Sequence, residues 1–117
     1  MAEVIAPGNL CTAQVGNGDS TNTILDLDRG RPSVIRITTA IGATPTVTIN
    51  MVGTIDNVNW YNIPYALVAT PNSFVVTALT ITTAVTTLYL LQTNQAWTWA
   101  KLVLSANTNV TITADYF

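Results

Sequence analysis

The sequence contains no histidine, and that absence removes several chemistries at once. Ser-His-Asp and Cys-His catalytic arrangements need an imidazole as general base, and the common zinc sites use it as a ligand. Cysteine is nearly absent too: Cys11 stands alone, so no intrachain disulfide can form, and no base lies near it in sequence. Charge is scarce in both signs. The basic residues are Arg29, Arg31, Arg36 and Lys101; the acidic ones are Glu3, Asp19, Asp26, Asp28, Asp56 and Asp115. Charged residues are 9% of the chain, against about 25% in an ordinary globular protein. With a net charge of −2 and no basic cluster, nucleic-acid binding is not expected, because phosphate neutralisation dominates that affinity. No apolar run approaches the roughly 20 residues that cross a bilayer, so no membrane partner is expected. The opening MAEVIAPGNL has no basic stretch leading into an apolar one, and no secretion signal is expected.

Catalytic and ligand motifs are missing in the same way. Gly16-Asn17-Gly18 has no third glycine, no lysine and no helical pattern after it, so it is neither a dinucleotide loop nor a P-loop. Asp26 and Asp28 sit two apart and share a strand face, as Ca²⁺ ligands would, but no Asp/Asn array continues and Arg29 and Arg31 neutralise the pair. No carboxylate is singled out as a raised-pKa acid for glycoside hydrolysis. The expectation is a non-enzymatic protein with no metal and no cofactor.

What is present is β-forming. Thr, Val and Ile dominate, and these side chains fit a pleated surface better than a helix. The 117 residues fit one domain, and a chain of this size buries about two-thirds of its unfolded surface. SVIRITTA (33–40) alternates with Ile35 and Ile37 on one face; TVTINMVGTI (46–55) turns Val47, Ile49 and Met51 inward; IGATP between them reads as a turn. FVVTALTIT (74–82), TTLYLLQ (86–92), WTWAKLVLS (97–105) and VTITADY (110–116) read as further strands, with TPNS (70–73), TNQA (93–96) and ANTN (106–109) as turns. About eight short strands with a turn signal every 8 to 12 residues predict an antiparallel β-sandwich, jelly-roll or discoidin-like, over residues 22–117. Residues 1–21 differ. The turn-rich APGN and VGNGDST flank NLCTAQV, which reads as an extended N-terminal arm or a loosely attached strand. It is either a frayed end or an arm that docks on a neighbour through Leu10 and Cys11, and its deletion is expected to leave the domain folded.

Three other places invite a partner. Asp26, Asp28, Arg29 and Arg31 crowd one loop in a chain otherwise starved of charge, which makes Asp28, Arg29 and Arg31 candidates for a register-setting salt-bridged contact. Trp97 and Trp99 share a strand face with Lys101 and Val103, while Ala100, Leu102 and Leu104 line the core face. The two indoles either offer a platform to a sugar or partner protein or pack in an aromatic end layer; Lys101 beside Trp99 suits a cation–π contact. Gln92, Asn94 and Gln95 lie in the preceding turn. In DNVNWYNIP (56–64), Asp56 to Asn59 read as a tight turn with Asn57 or Asn59 at positive φ, Trp60 as a plug of the core and Tyr61 as the more exposed of the pair.

The stretches DNVNWYNIP (56–64) and WTWAKLVLSANTNVTITADYF (97–117) resemble a pattern in small structural proteins of tailed bacteriophages. There a DGxNW turn is followed by a strand of the form W-x-x-(aromatic or aliphatic)-(basic)-L-x-L-S and a closing VTVTADY-like strand. Here Asn57 stands where glycine is usual. The resemblance covers residues 33–117. It implies a virion component, foremost a capsid decoration (cement) protein made in the host cytoplasm. Such a protein sits on the capsid surface as a homotrimer and contacts the major capsid protein and copies of itself. The alternative it implies is a tail or fibre receptor- or carbohydrate-binding module, for which Trp97 and Trp99 are the platform. Discoidin-type ligand binding is not implied, since those ligand loops have no match in this chain.

Overall fold

The computed structural model describes residues 8–25, 33–92 and 97–117, with only the backbone of Ile24, Leu25 and Ser33. Among these residues there is no helix. Nine strands run β1 (Gly8–Gln14), β2 (Gly18–Asp19), β3 (Ile24–Leu25), β4 (Ser33–Thr54), β5 (Tyr61–Asn62), β6 (Tyr65–Leu67), β7 (Leu79–Ile81), β8 (Thr86–Leu91) and β9 (Trp99–Tyr116). The all-β, antiparallel class read from the Thr/Val/Ile-rich pattern is the class observed.

Two long strands carry the rest. β4 and β9 pair from Ile35 opposite Tyr116 to Thr54 opposite Trp99. The free side of β9 takes β1, β2 and β3 in turn; the free side of β4 takes β8, β7 and β5, and β6 lies beyond β8. Inward residues alternate as the two-residue strand period demands. Ile35, Ile37, Val47, Ile49 and Met51 of β4, and Ala100, Leu102, Leu104, Val110, Ile112 and Ala114 of β9, are all buried. Residues from both ends of the ribbon belong to one core cluster. All nine strands belong to one hydrogen-bonded sheet.

The curvature arises where the sequence predicts turns. IGATP and ANTN do not end strands; β4 and β9 run through them. The register slips between Ile41 and Thr46 and again between Thr46 and Thr48. Thr44, Ala106 and Asn109 adopt positive φ there (44°, 50° and 54°). Asn109 Nδ2 donates to the Ala43 carbonyl (2.6 Å), and Asn107 closes a loop with both backbone groups of Val110. Asparagine side chains thus replace ladder bonds, and the turn chemistry produces paired β-bulges that bend the ribbon.

The expectation for the N-terminal segment changes in the same physical terms. From Gly8 onward it is a core strand, not a loose arm. β1 pairs with the C-terminal half of β9, with Gly8 opposite Tyr116 and Gln14 opposite Ile112. Leu10 and Cys11 are 0% exposed. Residues that follow are tied down as well: Ser20 N–H donates to the Leu102 carbonyl and Asn22 N–H to the Leu10 carbonyl. The 74–82 strand is also shorter than its apolar run suggests. Only Leu79–Ile81 pairs as a strand, and Val75 makes an isolated bridge to Tyr65.

Candidate functional site

Of the residues singled out as partner contacts, Asp28, Arg29 and Arg31 lie outside the described residues. Leu10 and Cys11 are spent on this chain's own core, which corrects their assignment to a neighbour. The Cys11 thiol donates to the Ile112 carbonyl (3.6 Å), and burial pushes its pKa up, away from the reactive thiolate. Trp97 and Trp99 do not form a shared exposed platform. Trp97 is buried just ahead of β9, while Trp99 is half-buried on its outward side.

Trp97, not Trp60, plugs the end of the core. Its indole lies over Gly53, where an added Cβ would meet Ile63 Cδ1 at 2.7 Å and Trp97 Cε3 at 2.9 Å. The Tyr61 ring packs at its edge, centroid to centroid 6.5 Å, and is itself 54% exposed. The Trp97 Nε1–H is buried and has no acceptor within reach among the described residues. Trp60 instead covers the outward face. Lys101 Nζ sits 4.0 Å from its ring centroid and 2.8 Å from Asp19 Oδ2. The cation–π contact expected at Trp99 is therefore made by Trp60, because the return of the chain at β5 brings Trp60 above Lys101. Strand alternation places Trp99 beside Lys101 but cannot show what a neighbouring hairpin lays over it.

The turn ahead of Trp60 is closed by its own side chains. Asp56 accepts the N–H groups of Val58 and Asn59 (both 2.9 Å) and the Asn59 Nδ2–H (3.1 Å). The Thr54 hydroxyl oxygen accepts the Asn57 N–H (2.9 Å), and Asn57 takes the positive φ of 60°. These donors stabilise the carboxylate, and the Asp56 pKa is held at about 2.

The described residues carry five charged side chains, and each is engaged within the chain. Asp19 pairs with Lys101 and Arg36 with Asp115 (2.9 Å), while Asp56 is held by its turn. Asp115 also accepts from Asn9 Nδ2 (3.0 Å); Asn9 and Arg36 together hold its pKa below the usual carboxylate value. Arg36 further stacks over the Phe117 ring at 5.2 Å. No group of three His, Cys, Asp or Glu side chains converges among the described residues. The depression at the ribbon bend, about 410 Å³, is lined by Val15, Ile41, Asn107, Asn109 and Thr111 among others, none of them ionisable.

No family model, curated protein or solved structure matches the chain.

Proposed function

We propose that this is a non-enzymatic structural subunit of a tailed-phage virion, a decoration protein that binds the outside of the head and stabilises it. One observation carries the reading: every charged side chain among the described residues already has its partner inside the chain. The other exposed groups among the described residues are mainly Thr, Asn, Ser, Ala and apolar side chains. Burying an unpaired ion costs several kcal/mol, on the order of the whole net stability of a small domain. A surface without such ions can be covered by neighbouring subunits over a large area at little electrostatic cost, whereas a freely soluble monomer gains from carrying them. The resemblance of residues 56–64 and 97–117 to phage structural proteins supplies the setting: the major capsid protein and copies of this chain as partners.

The carbohydrate-binding alternative loses its platform, since Trp97 is buried and the Trp60 ring is occupied by Lys101. The test is to mix purified protein with undecorated heads and image them. Added density over the head supports the assignment; density on tails alone, or none, overturns it.

A further inference from the structure

β8 has apolar side chains on both faces. Tyr89 and Leu91 point into the core, where Tyr89 packs edge-on against Tyr65 (5.7 Å between centroids). Strand alternation therefore points Leu88 and Leu90 outward. On the same outward side, Leu90 lies opposite Val34, which exchanges both backbone hydrogen bonds with Phe117. Leu88 lies opposite Arg36 and next to Val68, whose N–H donates to the Leu88 carbonyl. An antiparallel sheet with one wetted face shows polar residues there, and a strand apolar on both faces is ordinarily covered on both. Here Leu88, Val68 and Phe117 are 42%, 40% and 47% exposed.

We infer that this outward β8–β4 face is where one copy of the chain packs against a second copy. Three observations favour that occupant. First, among the described residues the ions on the face are Arg36 and Asp115, closed on each other at 2.9 Å. A patch that meets its own counterpart brings like charges together unless it is internally neutral, and this one is. Second, the apolar side chains of the face are contiguous. Leu90, Val34 and Phe117 form one row across the outward side and Val68 and Leu88 begin the next, a continuous apolar centre of the kind that a pair of subunits buries. Third, the patch has the anatomy of an interface. Its apolar centre is flanked by a row of threonines, Thr86 opposite Thr38 and Thr38 opposite Thr113, and a polar rim around an apolar centre is the usual arrangement. The inference stands apart from the virion assignment, since it rests on this face alone.

Size-exclusion chromatography with light scattering on the full chain tests it. The wild type should have the mass of at least two chains. Leu88→Glu should run as a single chain with an unchanged far-UV spectrum, and Leu88→Thr, whose β-branched side chain suits a strand, should weaken association at least tenfold. Val15→Glu, at the ribbon bend and 69% exposed, should leave the mass unchanged. A single-chain wild type overturns the inference, as does a folded Leu88→Glu that keeps the wild-type mass. If a single-chain wild type binds heads and Leu88→Glu abolishes that binding, the face belongs to the capsid protein instead.

Discussion

At Gly53 the absence of a side chain lets Ile63 and Trp97 meet over the sheet. A methyl group there would lie within 3 Å of both. Gly53→Ala should therefore cost about 1–3 kcal/mol in urea denaturation, the usual penalty for overfilling a packed site. Part of that cost should vanish in a Trp97→Leu background, which removes one of the two clash partners and leaves Ile63. Asn57 is the complementary case. Its φ of 60° suits glycine as well as asparagine, so Asn57→Gly should be nearly neutral, whereas Asn57→Val should lose about 1–2 kcal/mol. The two depressed aspartates set the acid limb of the stability curve. Asp56 and Asp115 titrate lower in the folded chain than in the unfolded one. Each contributes stability that is present above the unfolded carboxylate value near pH 4 and is lost as pH falls toward its folded pKa. The urea midpoint should therefore decline between about pH 4 and pH 2, and less steeply in Asp56→Asn.

At the scale of elements, β1 is the decisive case. Leu10→Ala should destabilise by about 2–5 kcal/mol, as deletion of a fully buried side chain does, and removal of residues 1–20 should unfold the domain as judged by circular dichroism. A folded truncation would mean that β9 keeps its core without β1. Cys11 should resist thiol reagents until the protein unfolds, since its sulfur is buried and its pKa is raised. The same strand shows where sequence reading stops. Period-two alternation located the inward residues Ile35, Ile37, Val47, Ile49 and Met51 of β4 and Ala100, Leu102 and Leu104 of β9, and turn chemistry narrowed the positive φ to Asn57 or Asn59, of which Asn57 takes it. NLCTAQV carried too little alternation to reveal that Leu10 and Cys11 are core. The bulges at Gly42–Pro45 and Ala106–Asn109 were legible as punctuation but not as bends within a strand, because the same Gly, Asn and Pro residues serve both geometries. The Trp60–Lys101 contact depends on which hairpin returns over which strand, and no local pattern encodes that. TTLYLLQ read as a strand without showing that apolar side chains would be left on its outward face.

For the whole molecule, charge distribution matters more than any single site. Among the described residues the ions are folded into closed pairs and a capped turn, and most of the other exposed groups are neutral. Raising salt should therefore weaken its associations little, because the exposed pairs that salt screens are not the contacts between subunits. Introducing an unpaired charge on the outward β8–β4 face should disrupt assembly far more than one at the bend. The most direct measurement is cryo-electron microscopy of undecorated heads incubated with the purified protein. Ordered density that accommodates this β-fold is expected on the outer capsid surface. Bare heads, or protein found only on tails, would contradict it.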